Sequence, residues 1–270
     1  MKIFIITMDD PIQTNGFIKE IINARKEDII GLALAKGDRL TVGNKNSKIS
    51  YFFSLFMIMG FFHFIKNSIK IFLFKMGKYI SGHLNFISSP SILNYVEREG
   101  MLAFKIKSPN EKKFLEKLGY LNPDIIINQS QCILKKDLLS IPKIGVINRH
   151  NALLPKNRGR LSPFWVLYKD ENETGVSIHF VETGIDSGDI IVQRKIPVKK
   201  GESFNSLVNR SYKIAPYAML GALDKLENGN FRLIKNRDSE ATYNSVPTIS
   251  EAFKYRIKRI KNFFNIGKLG

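Results

Sequence analysis

The sequence predicts an α/β fold: a doubly wound, mostly parallel sheet with a helical aromatic insertion and a helical C-terminal tail. Two observations lead there. Short β-branched runs alternate with helix-spaced segments from the first residues onward, the order that lays crossover helices over a parallel sheet. The chain of 270 residues is also long enough to bury a large core under one sheet.

The elements follow in order. KIFIIT (2–7) is too short and too β-branched for a helix and reads as a buried strand. The stretch has too few apolar residues before its two aspartates for the core of a secretory signal. Residues 14–24 space Phe17, Ile21 and Ile22 as a helix does, and DIIGLALAK (28–36) returns to strand. Polar residues 38–50 read as a loop. YFFSLFMIMGFFHFI (51–65) then runs without an Asp, Glu, Lys or Arg, until Lys66 and Lys70 interrupt it. A spanning helix needs about 20 apolar residues, so a buried or interfacial helix over about 51–80 is the expectation. Its aromatic, cationic continuation IKIFLFKMGKYI suits a helix resting on an anionic bilayer.

Beyond a helical stretch at 110–118, NPDIIINQSQCIL (122–134) and KIGVINRH (143–150) read as strands, followed by GVSIHFVE (175–182) and DIIVQRKIPV (189–198). Residues 203–227 are helix-like. EAFKYRIKRIKNFF puts Phe253, Ile257, Ile260 and Phe264 on one helical stripe with basic residues elsewhere, a sheet-covering or solvated element. The chain divides into residues 1–200, the unit carrying the polar strand ends described below, and 201–270, a helical extension.

The composition bounds the chemistry. Forty-two Lys and Arg face 24 Asp and Glu, a formal net charge of +18, which favours anionic partners or surfaces. The single Cys132 excludes an internal disulfide framework and a cysteine-clustered zinc site, and fits a reducing, cytoplasmic compartment.

Two polar strand ends carry the functional signal. Alternate residues of a strand share a face, so Asn148 and His150 project together at the end of GVINRH while Arg149 points away. The carboxyl edge of a parallel sheet is where such folds place ligands. An amide can hold a carbonyl oxygen there, and an imidazole can exchange a proton near neutral pH. In TGIDSGDI (183–190), Gly184 and Gly188 bracket Asp186 in a tight turn between apolar strands, 36 residues after His150. A carboxylate at that lip orients an imidazole and raises its basicity. His179 alternates into its strand and reads as structural.

Taken in order, NRHNALLPKNRG, PFW, TGVSIHF and GIDSGDII resemble the folate-dependent formyltransferases, the family of glycinamide ribonucleotide, methionyl-tRNA and amino-sugar formyltransferases. The ordered match spans about residues 120–200. The resemblance implies a Rossmann-like formyltransferase fold over 1–200. It implies transfer of a formyl group from 10-formyltetrahydrofolate to a primary amine, with no metal. It matches Asn148, His150 and Asp186 to the catalytic trio. It places folate against Gln131, Ile133 and Leu134 on one loop and Val181, Glu182, Thr183, Gly184 and Ile185 on another. TMDDPIQTNG stands where the glycinamide ribonucleotide branch has a Gly/Ser-rich phosphate loop. About seventy residues follow Pro197 and read as helix rather than as the C-terminal barrel of the methionyl-tRNA branch. KNRG and SPFWVLYKDENETGVSIHF look more like members acting on cell-surface saccharide precursors. The expected acceptor is therefore a nucleotide- or lipid-linked amino sugar, with a peripheral contact on the inner membrane face and no nucleic acid. The alternatives are formylation of methionyl-tRNA, a purine precursor or another amine, hydrolysis of formyl-folate, and a non-catalytic basic adaptor on the same fold.

Overall fold

The computed structural model describes residues 1–36, 48–84, 89–229 and 232–266. Seven strands form one sheet in the order β3-β2-β1-β4-β5-β7-β8. They are β1 (Ile3–Thr7), β2 (Ile29–Ala35), β3 (Leu102–Ile106), β4 (Ile125–Asn128), β5 (Gly145–His150), β7 (Glu173–Phe180) and β8 (Ile190–Pro197). The five strands from β3 to β5 run parallel, and β7 and β8 are antiparallel to their neighbours. The late pair can be antiparallel because the loop between them is too short to hold a crossover helix. A two-stranded sheet pairs β6 (Arg158–Gly159) with β9 (Tyr243–Asn244).

The strand period assigns the two faces. In β1, Ile3 and Ile5 belong to one core cluster and Phe4 and Ile6 to the other, and all four are fully buried. The first cluster is closed by α1 (Thr14–Ala24) through Phe17, Ile18, Ile21 and Ile22, and by α8 (Phe204–Asn228) through Leu207, Ala215, Met219 and Leu223. The second is closed by α5 (Lys112–Leu121) through Phe114 and Leu118, and by α6 (Lys136–Leu139) through Leu138. Strand runs of Ile and Val buried on both faces are what a parallel sheet between helical layers demands. Two further helices, α4 (Ile92–Arg98) and α7 (Ser162–Tyr168), add Ile92, Val96 and Phe164 to the first cluster.

Four expectations need correction. The run 122–134 is strand only over Ile125–Asn128. Gln129 N–H still reaches Ile6 O, but the Asn128 side chain accepts from Ser130 N–H and Oγ and bends the chain out of the sheet. The aromatic segment is not one helix but two, α2 (Lys48–Met59) and α3 (Phe61–His83), broken at Gly60, whose φ of +80° suits a glycine. Residues 48–50 open α2 rather than continue a loop, and 38–47 lie outside the described residues. Lastly, α9 (Ile249–Ile266) packs on α2 instead of covering the sheet. It buries Ala252 and Tyr255, and the stripe of Phe253, Ile257 and Ile260 faces outward. No described helix is long and apolar enough to cross a membrane.

Candidate functional site

The topology reverses between β1 and β4, and the carboxyl ends of β1, β4 and β5 open on one edge. At the end of β5, Asn148 and His150 share the face of Val146, and Arg149 lies on the face of Ile147. The antiparallel register sets Asn148 opposite His179 and His150 opposite Ser177. Arg149 reaches the other layer, 4.2 Å from the Tyr212 ring of α8 and 5.0 Å from the Phe17 ring of α1. It donates to Tyr212 Oη at 3.0 Å.

Asn148 is oriented by Gln129, at the end of β4. Gln129 Nε2 donates to Asn148 Oδ1 at 2.8 Å, and Gln129 Oε1 accepts from Arg149 Nε at 3.0 Å. With its oxygen so occupied, Asn148 presents its NH2 end as the available donor.

His150 is buried, with Nδ1 3.3 Å from Asp186 Oδ2 and Nε2 2.8 Å from Asn157 O. Ser162 Oγ lies 3.2 Å from the same Nε2. A carbonyl and a carboxylate both await a proton, so only the doubly protonated ring satisfies both, and the neutral ring satisfies one. Asp186 adopts a left-handed backbone (φ +48°) that Asp tolerates better than most residues. Its carboxylate also accepts from Gly159 N–H at 2.8 Å, and its Oδ1 faces His179 Nε2 at 3.6 Å. Asp186 is thus held by the His150 ring and the Gly159 amide.

The turn supplying Asn157 O and Gly159 N–H is itself clamped. Arg158 is fully buried and donates to Asp238, Tyr243 Oη and Asn236, tying the turn to the segment after α8. Gly159 has φ +94°, and a Cβ there would lie 2.2 Å from Asn244 O, so no larger residue fits the β6–β9 pairing.

The electrostatics follow from burial. Burial alone would raise the Asp186 carboxyl; the two imidazoles and the Gly159 N–H outweigh it and hold it below the ordinary carboxylate value. Burial pushes His179 down to about 4 against the attraction of Asp186. His179 Nδ1 sits 2.7 Å from Phe180 O and must carry its proton there, leaving Nε2 without a hydrogen-bond partner.

The two loops expected to hold folate meet in one apolar cluster, to which Leu134, Cys132 and Val181 belong. Leu134 is buried in it beside the Phe114 layer, while Ile133 and Ile185 stay exposed at 84% and 64%. Gln131 is exposed as well. Glu182, Thr183 and Gly184 line an open cleft of about 560 Å³ together with Ser187, Asp189 and the 235–243 segment. A Cβ on Gly184 would meet Ser187 Oγ at 2.4 Å, so the cleft wall is closed to larger residues there. The cleft lies against the Asp186 loop, whereas Gln131, Ile133 and Leu134 are not among its lining residues.

Sequence reasoning did not foresee the parts played by Gln129, Asn157, Arg158 and His179. The turn KNRG was visible as a basic turn closing on glycine, but its partners lie about 80 residues on, at 236–244. His179 looked like a strand residue, and it is one; its place beside Asp186 depends on the strand register.

Known proteins resemble this chain in sequence and in fold. The family model described as Formyl transferase matches residues 68–223. A methionyl-tRNA formyltransferase from Thermotoga neapolitana is 36% identical over 148 residues, 54% of this chain and 47% of that protein. One from Caldanaerobacter subterraneus is 32% identical over 140 residues, 52% and 45% of the two chains. The chain spans about half the length of these curated relatives. Among solved structures, glycinamide ribonucleotide transformylase 1 from Symbiobacterium toebii superposes with a TM-score of 0.59 at 16% identity, covering 87% of this chain and 94% of that one. An N-formyltransferase from Helicobacter canadensis, in complex with folinic acid and dTDP-3-aminofucose, superposes equally well (0.59, 16%), covering 96% and 80%.

Proposed function

Because the chain belongs to the formyl transferase family, we propose that it transfers a formyl group from 10-formyltetrahydrofolate to the primary amine of a nucleotide- or lipid-linked amino sugar. The observation that carries the reading is the His150–Asp186 pair at 3.3 Å beside the free amide end of Asn148. Bound 10-formyltetrahydrofolate supplies the electrophilic formyl carbon. Asn148 donates its N–H to an acyl oxygen as that oxygen gains negative charge, the task of an oxyanion donor. Asp186, held ionised and 14% exposed at its side chain, accepts the proton that the attacking amine must lose. His150 holds the carboxylate in place, and as the bond between the formyl carbon and the folate nitrogen breaks, that proton passes on to the nitrogen and tetrahydrofolate leaves. The loops carrying Gln131, Ile133 and Leu134 and Val181 to Ile185 frame the donor.

Support for a small acceptor comes from the cleft, whose volume suits a single small molecule and whose Thr183, Ser187 and Tyr243 hydroxyls suit a sugar. Its wall also carries Glu182, Asp189 and Asp238, of which Asp189 pairs with Lys235 and Asp238 with Arg158. A second reading, formylation of methionyl-tRNA, is favoured by the identity to methionyl-tRNA formyltransferases and by the net charge of +18. Purified protein with 10-formyltetrahydrofolate and a panel of amino-sugar nucleotides is expected to release tetrahydrofolate. Release only with methionyl-tRNA overturns the sugar acceptor, and release with no amine overturns formyl transfer.

A further inference from the structure

The strongest unexplained feature is α3. Of its 23 residues none is buried, although Phe, Ile, Leu and Met make up much of it. Phe62, Ile65, Ile69, Leu73 and Met76 recur at steps of three and four, with Phe72 beside them, so they form one stripe along the helix. All six are exposed, Phe62 at 84%. The helix is fixed from its opposite side. Asn67 contacts Met59, Gly77 lies against Pro90, and Lys78 pairs with Asp9 at 2.6 Å. The apolar stripe therefore points outward from a well-anchored helix.

Charge states what it faces. The sequence has no Asp or Glu between Asp38 and Glu97. Lys66, Lys70 and Lys75 border the stripe and have no carboxylate partner among the described residues. At the root of α3, Arg256 of α9 reaches Gly60, and α9 exposes Phe253, Ile257 and Ile260 next to Lys254 and Lys261. An apolar stripe between unpaired cations, on a helix that cannot span, has the chemistry of the interfacial plane of an anionic bilayer.

We propose that α3, rooted on α2 and α9, is a docking surface for an anionic phospholipid bilayer. A second copy of the chain is a poor occupant, because two acid-free faces would set lysine against lysine. A bilayer supplies both hydrocarbon for the stripe and phosphates for the border. The surface is independent of which amine is formylated. If the acceptor is lipid-linked, docking here brings the enzyme to it.

The test uses the full chain with vesicles of phosphatidylcholine alone or mixed with phosphatidylglycerol. The expected result is binding to the mixed vesicles that weakens as salt rises. Lys66→Gln with Lys70→Gln should lower partition about 25-fold, about fivefold for each lysine near the surface. Ile69→Glu with Leu73→Glu should lower it by at least about tenfold, because both side chains enter the acyl boundary. These positions are exposed, and an unchanged thermal midpoint confirms that the variants fold. Absence of binding to either vesicle overturns the proposal. So does a lipid-free dimer that the Ile69→Glu, Leu73→Glu pair dissociates, which would assign the stripe to a second copy.

Discussion

The strand-end site and α3 treat their side chains in opposite ways. At the ends of β4 and β5 and in β6, polar groups are buried and paired: Gln129 with Asn148 and Arg149, His150 with Asp186 and Asn157, Arg158 with three partners. On α3, apolar groups are exposed and unpaired. Each inverts the usual rule of apolar inside and polar outside. Such inversions mark the places where a chain gives up stability for contact with something else, here a small reactant on one side and a surface on the other.

If the buried polar set exists for chemistry, removing its central charge should cost more activity than stability. Asp186→Asn keeps a residue that tolerates the left-handed backbone and can still accept from Gly159 N–H. It removes the charge and the proton acceptor, so kcat/KM for the formylated amine should fall by about 10³-fold. Thermal unfolding should place the variant close to the wild type. An active variant would reduce the pair to a structural feature and erase the contrast with α3.

His179 gives the comparison a pH axis. Its pKa is about 4 in the fold against 6.5 for the free side chain. Between those values the unfolded chain binds a proton that the folded chain refuses, so stability falls as pH drops through that window and is level above it. From pH 7 to pH 5 the loss attributable to this group is about 2 kcal/mol. Urea midpoints at the two pH values should differ more in the wild type than in His179→Gln. Equal shifts would mean that the His179 imidazole is not held neutral by burial.

Gln129 separates positioning from packing. Gln129→Leu leaves Asn148 Oδ1 and Arg149 Nε without their partner and should lower stability by about 1–3 kcal/mol. Gln129→Glu restores an acceptor for Arg149 but no donor for Asn148. Its melting temperature should recover while kcat stays about tenfold down, the size of one lost hydrogen-bond orientation. Recovery of both would show that Asn148 needs no orienting partner.

How far the sequence reached differs between the same two regions. Strand and helix identity came from local periodicity, so β1, β2, α1 and α8 sit within a residue or two of expectation. Asn148, His150 and Asp186 were legible as strand-end and turn residues, and the fold brings the last two together. Gln129, Arg158 and His179 were not, because their partners are set by sheet order and by a segment some 80 residues away. For α3 the apolar composition was plain, but composition is blind to which side of a helix has a neighbour. The break at Gly60 was hidden too, since one glycine inside an apolar run states no dihedral angle.

The smallest expected effect is the sharpest test of exposure. Ile126 and Ile69 are the same residue in the same chain, one fully buried in the sheet and the other 53% exposed on α3. Ile126→Ala removes packed methyl groups between α5 and the sheet and should cost about 2–5 kcal/mol. Ile69→Ala leaves no cavity, and alanine is the better helix former, so the change in water should stay within about 0.5 kcal/mol. Denaturant titration of both variants measures the difference directly. A loss at Ile69 approaching that at Ile126 would mean that the stripe is covered in solution without lipid, and its occupant would then be protein.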